Sequence, residues 1–379
     1  MPKVTLVRGA RQLLTLRGAN GPRRGADLNH LGIIQDGALL IVDGRIEDLG
    51  SSRRVENLAL ARHAEEIDAS GRVVMPGFVD CYTHLASGPA RSIQDISSRT
   101  LASHTLDTVT QALRHGTTSL EAKSGFGLTE ANEIKILRVH AAVEKQSLPL
   151  ISTFFCREVC FEALSLVRRR KLAQFAEISL RGDGFSIDQV RQFLTTARGL
   201  KFGLKIHLGA RYNPEAIPVA IEFAVVVVDD AIAVSPTDAA LLARSSTVAT
   251  LLPGQNFYSP KPDASARMLI ESGVPVAIAT GYPTSCQSVN MQMMIALACA
   301  QMGLTPAEAI AAATMNAAFA AGLASTAGSL EAGKSADLLI LSAPDYREIP
   351  YHFGVNLVDL VMKQGTVVLE RSEVKWPAR

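Results

Sequence analysis

Six short apolar runs end in residue types that can bind a metal or move a proton. The first ends Asp80-Cys81-Tyr82-Thr83-His84 and the second Glu121-Ala122-Lys123-Ser124-Gly125. Others end Cys156-Arg157-Glu158, Lys205-Ile206-His207 and Asp229-Asp230, and a sixth closes on Thr280-Gly281. Neutral imidazole is the commonest zinc ligand, so His84 and His207 are the first candidates. A mononuclear zinc site needs three or four protein ligands, however, and two histidines are as readily hydrogen-bonded core residues. Cys81 has no imidazole nearby in sequence except His84, so it reads as a buried structural thiol. Cys156 and Cys160 read as packing residues.

These tips can meet only if the runs that carry them lie parallel and close on themselves. From about residue 73, short β-branched runs alternate with longer amphipathic segments, from VVMPGFVDCYTHL with HTLDTVTQALRHG to VPVAIATG with VNMQMMIALACAQMG. There are eight such strand-helix pairs, the number that closes a parallel barrel, whose chemistry sits at the carboxyl ends of the strands. Ser186 with Gln189, and Thr305 with Glu308 and Pro306, have the spacing of capped helix starts; Ser235-Pro236 is a third. The first seventy residues read as β structure, with hairpin turns expected at Asp36-Gly37 and Asp43-Gly44. Strands return in SADLLILS and VDLVMKQGTVVL after an Ala-rich helix. The expected fold is α/β: a (β/α)8 TIM-type barrel over 73–329, with a small composite β-sandwich domain from 1–72 and 330–379.

Of 379 residues, 47% are hydrophobic and 20% charged, enough to bury a large core. Thirty-eight basic against thirty-six acidic residues leave +2, which argues against nucleic acid or an anionic membrane as partner. No apolar run reaches the roughly 18 residues of a membrane span. Five scattered cysteines fit neither a disulfide framework nor a Cys-x-x-Cys zinc site, so a reducing cytoplasm is expected, and MPKVTLVRGARQLLTL reads as a strand rather than a signal peptide. The basic run Arg168 to Lys171 reads as a solvated helix end, with an anion site as the alternative.

Seven segments together resemble imidazolonepropionase, a cyclic amidohydrolase of the metal-dependent amidohydrolase superfamily. They are VVMPGFVDCYTHL, GTTSLEAKSGFGLTEANEIKILRV, TVATLLPGQNFY, GVPVAIATG, LTPAEAIAAATMNAA, GSLEAGKSADLLIL and APDYREIPYHFGVN. The resemblance runs from about residue 30 to the C-terminus. It implies a barrel with a two-ended sandwich, a homodimer, and a zinc- or iron-bound water that opens the ring of imidazolone propanoate.

The resemblance also implies where the site should be, and there the sequence departs from the family. The metal ligands would be two histidines on the first barrel strand, one on the fifth and an aspartate on the eighth. His84 and His207 are kept, but Tyr82 and Gly281 stand at the other two positions. Glu158 and Asp230 replace histidines, Ala210 a carboxylate, and Phe126 a tyrosine, while Arg91 falls where the family grips the substrate carboxylate. Lys123 suggests pairing with a carboxylate rather than a bridging carbamate, because the family is mononuclear.

Three readings follow. The first is a pseudoenzyme that keeps the fold, with no cofactor. The second is an active cyclic amidohydrolase whose zinc or iron sits on His84, His207 and Asp230, a two-His, one-carboxylate set open to water, with Glu121, Glu158 or Cys81 assisting. The third is a binding module for a small carboxylate-bearing molecule held by Arg91.

Overall fold

The computed structural model describes residues 2–18, 21–87, 90–157, 161–180, 184–209, 211–257, 265–284 and 286–371, with the side chains of 90–92 and 256 excepted. The chain opens with β1 (Val4–Leu14), β2 (Ile33–Val42), β3 (Arg45–Ser51), β4 (Glu65–Asp68) and β5 (Val73–Pro76). The barrel strands follow: β6 (Phe78–Thr83), β7 (Thr117–Lys123), β8 (Leu150–Cys156), β9 (Phe175–Ser179), β10 (Gly203–His207), β11 (Val227–Asp229), β12 (Val248–Leu251) and β13 (Val276–Ile278). β14 (Leu338–Leu341), β15 (Val358–Lys363) and β16 (Thr366–Glu370) complete the set.

β6 to β13 pair in sequence order, each parallel to the next. The ring closes where Thr83 bridges Tyr282 in parallel and Tyr282 O accepts from His84 N at 2.7 Å. This is the expected TIM-type barrel. Its helices start where the capping signals stand: both Ser186/Gln189 and Thr305/Glu308 form reciprocal capping boxes, and Ser235 caps the helix that begins at Pro236. The outward faces of the strands pack on those helices through Phe154, Ile178, Ile206 and Val228, all fully buried.

Both termini supply the second sheet, in the order β16-β15-β14-β5-β1-β2-β3, with β4 also paired to β1. Leu13, Leu39, Ile41, Val74, Leu338 and Ile340 form its own buried cluster. One expected hairpin is present: Val42 faces Arg45, and Asp43 and Gly44 both have positive φ, +46° and +81°. The other is not. Asp36 and Gly37 lie inside β2, where Asp36 takes φ +47° and Gly37 pairs with Ala10 beside a register shift in β1. The extra residue of the bulge lies in β1, between Val7 and Ala10, and Gly37 lacks the second positive φ that the turn would need.

The run VVMPGFVDCYTH, continuous in sequence, is two strands. Val73–Pro76 pairs with β14 in the terminal sheet, and the chain enters the barrel at Phe78. Gly77 is the crossing point, its N–H donating to Asp337 O at 3.1 Å. A Cβ there would lie 2.2 Å from two atoms of the buried Thr118 side chain. Among the described residues no helix is long and apolar enough to cross a membrane. Gly77→Ala is expected to lower unfolding stability by about 1–3 kcal/mol through overpacking. Urea denaturation should show a smaller loss when Gly77→Ala is made in a Thr118→Ala background.

Candidate functional site

Side chains alternate along a strand, so residues two apart share the barrel interior. That rule places Asp80 and Tyr82 of β6, Glu121 and Lys123 of β7, and Lys205 and His207 of β10 on one inner surface, with Glu177 of β9 and Asp229 of β11. All eight are buried. Barrel interiors are ordinarily filled by branched apolar side chains, so this one is unusual in being ionic.

Its centre is Lys123. The Nζ donates to Glu177 and, at 2.7 Å, to Asp229, and lies 3.2 Å from Glu121. Lys205 Nζ donates to the other oxygen of Glu121, while the oxygen near Lys123 accepts from Thr153 Oγ1 at 2.6 Å. Burial and the neighbouring carboxylates push Glu177 up to about 8, against the pull of Lys123. Burial also works to raise Asp229, but Lys123 and Lys205 outweigh it and hold that carboxyl low. Of the acids around Lys123, Glu177 is therefore the one whose proton burial favours most. Asp80 stands apart. It accepts from Thr280 N at 3.1 Å and from Thr280 Oγ1 at 2.6 Å, yet burial still pushes it up to about 6.

One layer further out, the strand tips form a pocket of about 160 Å³. Its walls are Tyr82, Phe126, Phe155 and Leu252, and its polar lining is His84, His207, Asp230, Gln255, Thr284 and Arg157. Tyr82 is the floor: Lys123 Nζ lies 4.5 Å over its ring, and its hydroxyl is 3.2 Å from His207 Nδ1. His207 Nε2 is 3.8 Å from Asp230 Oδ2, which Gln255 also approaches at 3.5 Å. His84 donates from Nδ1 to Ser124 O at 2.9 Å, leaving Nε2 as an acceptor. Burial and the charge of Lys123 hold its pKa well below the usual range, so it is neutral at physiological pH.

Residues 73–368 match the Amidohydrolase family. The curated imidazolonepropionase of Symbiobacterium thermophilum is 34% identical, with 99% of each chain covered. That of Alkaliphilus oremlandii is 31% identical over 97% of this chain and 98% of its own. Among solved structures, Aspergillus niger ochratoxinase superposes with a TM-score of 0.75 at 18% identity over 98% of this chain and 96% of its own, a likeness of fold. Guanine deaminase of E. coli does so with a TM-score of 0.75 at 15% identity, covering 98% and 100%. The chain is an imidazolonepropionase-like member of the amidohydrolase family.

Among the described residues of this imidazolonepropionase-like chain, the donor set does not complete a mononuclear metal centre. His84 has a ligand-like setting, with one nitrogen bonded to a carbonyl and the other free to accept. His207 is already engaged by Tyr82. Burial, reinforced by Glu177, holds the Tyr82 phenol well above its ordinary pKa, which makes it a poor anionic donor. Gly281 offers no side chain; its N–H donates to Tyr82 O at 3.1 Å. Among the described residues no three His, Cys, Asp or Glu side chains converge as a metal would require. His84, His207 and Asp230 share the pocket without forming such a group.

The remaining candidates fall in different places. Glu158, Cys160 and Ala210 lie outside the described residues, as does the side chain of Arg91. Phe126 lines the pocket, edge-on to His84 with ring centres 4.7 Å apart. Cys81 and Cys156 are buried, with no disulfide, and burial raises Cys81 well above the usual thiol value. Glu121 serves the ionic core rather than the pocket. Sequence reasoning missed Glu177 and the joint role of Lys205 and Asp229. The available signal was a lone charge at an inward position of an otherwise apolar strand, as in FAEIS and GLKIH.

Lys123→Met leaves buried carboxylates without their counter-charge and is expected to cost about 3–5 kcal/mol. Glu177→Gln keeps the shape and an acceptor oxygen for Lys123 at the acid whose charge burial disfavours most, and should cost less than about 1 kcal/mol at pH 7. Chemical denaturation of the two variants measures the contrast. Asp80 carries a pH signature. Because its folded pKa lies above the unfolded one, its stabilising share is complete below about pH 4 and lost as pH rises through about 6, by at most about 3 kcal/mol. The stability of Asp80→Asn relative to the parent should therefore climb between those pH values and level off above them.

Proposed function

We propose that this chain is an imidazolonepropionase-related protein that no longer hydrolyses imidazolone propanoate and keeps the barrel mouth as a small-molecule pocket. The observation that carries this reading is the Tyr82 hydroxyl bonded to His207 Nδ1, with the side-chain-free Gly281 beside Tyr82. Those are the two positions at which the resemblance calls for metal ligands. Two histidines do not hold zinc tightly without further donors, and without the ion there is no activated water. The pocket itself is well formed, with aromatic walls and a few polar groups, the usual make-up of a small-ligand site. Arg157 lies 5.0 Å over the Phe126 ring and is a cation suited to a ligand carboxylate, the role that the resemblance gives to Arg91. The family resemblance and the scattered cysteines support a cytoplasmic homodimer.

A second reading keeps catalysis, with a metal on His84, His207 and Asp230. The 3.8 Å approach of His207 Nε2 to Asp230 Oδ2 favours it.

Elemental analysis of protein purified without a metal-affinity tag separates the two. Zinc and iron well below one equivalent, unchanged after incubation with either ion, are expected, and a Tyr82→His/Gly281→Asp double variant should retain more metal than the parent. One equivalent in the parent, lost in Asp230→Asn, would replace the first reading with the second.

A further inference from the structure

The helix Glu130–Glu144 opens beside the barrel mouth, and one acid of its first turn is turned away from solvent. Glu133 is buried, with its carboxylate folded back onto the loop that leaves β7. Its Oε2 accepts from Gly125 N at 2.5 Å and its Oε1 from Gly127 N at 2.6 Å. The Ser124 hydroxyl and the Leu128 N–H donate to it as well. Four donors thus converge on two oxygens, the full capacity of an ionised carboxylate. The approach needs a glycine, since a Cβ on Gly127 would lie 2.6 Å from Glu133 N. Asn132 closes the same turn from the other side, its Nδ2 donating to Gly127 O at 3.0 Å.

Glu133 is not part of the pocket lining, but the groups it holds touch that lining. Ser124 O accepts from His84 Nδ1 at 2.9 Å, and Ser124 Oγ accepts from Phe155 N at 3.1 Å. Phe126, between the two clamped glycines, stands edge-on to His84, and Arg157 lies over its ring. The Ser124 carbonyl and the Gly125 N–H belong to one peptide group, and in a planar trans peptide they point in opposite directions. Aiming the N–H at Glu133 therefore aims the carbonyl at His84. A carbonyl can only accept, so the proton of the neutral imidazole sits on Nδ1 and Nε2 is left as the acceptor.

We infer that Glu133 is a positioning residue of the mouth: by holding the Gly125 N–H it fixes the Nδ1–H form of His84, so that the pocket selects ligands that bring a hydrogen-bond donor to Nε2. The selectivity rests on the reading of the mouth as a small-molecule pocket; the tautomer does not.

Two measurements on the full chain, stripped of metal with a chelator, test the two parts separately. The first is nitrogen NMR of protein with isotopically labelled histidine, His84 being identified by its loss in His84→Gln. The parent should show Nδ1–H. Glu133→Gln, which turns an amide donor towards a backbone donor, should lower the ratio of Nδ1–H to Nε2–H about tenfold, roughly the worth of one hydrogen bond. Asn132→Ala loosens Gly127 O alone and should leave the ratio within about twofold. If Glu133→Gln does not fold, Glu133→Asp, a methylene too short for both amides, carries the same expectation. The second measurement is titration calorimetry with pyrrole-2-carboxylate, which has a ring N–H, and furan-2-carboxylate, which has none. The parent should prefer the pyrrole about tenfold, and Glu133→Gln should lose the preference. An Nε2–H signal for His84 in the parent, a parent-like spectrum in the Glu133 variants, or an equal change in Asn132→Ala would overturn the role of Glu133. Equal affinity of the parent for the two probes would overturn the selectivity. Binding of neither probe would strike the pocket reading, and the selectivity with it.

Discussion

Much of this structure depends on two ammonium groups buried inside a closed barrel. Lys123 and Lys205 are wholly removed from water, as are the acids that face them. An isolated buried ion is expensive, and the expense is met only when its partners arrive with good geometry. Here the partners come from β7, β9 and β11, so the acids meet the lysines only if these strands lie in register. Register in turn dictates everything one step beyond. Tyr82 lies under Lys123, His207 is two residues past Lys205, and Asp230 follows Asp229. The composition of the mouth pocket is thus tied to an ionic layer that never reaches solvent.

That arrangement separates scaffold from chemistry. The ionic layer, the closing contacts at Tyr282 and the capped helices need nothing from the outer lining of the mouth. Tyr82 is the one shared residue, since its ring packs against Lys123 while its hydroxyl faces His207. The Tyr82 side chain thus contacts a neighbour on each side, Lys123 below and His207 above. At the opposite end, the segment between β1 and β2 is held by side chain-to-backbone bonds through Asn316 and Arg24 together with the buried Leu16, Leu28 and Leu31.

Local pattern decided much of the architecture. Alternation of apolar runs with amphipathic segments is enough to count eight strand-helix pairs, and the capping boxes at Ser186 and Thr305 mark helix starts because each is satisfied within four residues. Asp43-Gly44 made its turn for the same reason. Asp36-Gly37 shows the limit: Asp36 takes a positive φ but Gly37 does not, and pairing with β1 carries both through as strand. The split at Gly77 was equally invisible, because a strand that changes sheets does not change its apolar character.

At the candidate site the division is sharper. Sequence alone determined which residue types stand at the strand tips, including His84, His207, Asp230, Tyr82 and Gly281, since strand alternation and chain order are local properties. It did not determine which charges meet. Glu177, Lys123, Asp229, Glu121 and Lys205 are spread over more than one hundred residues, and their pairing is set by barrel closure. The Tyr82–His207 contact spans 125 positions and the Arg23–Asn316 contact 293. Interactions of that reach are decided by tertiary structure, because they depend on how the strands stagger and not on any residue's own preference.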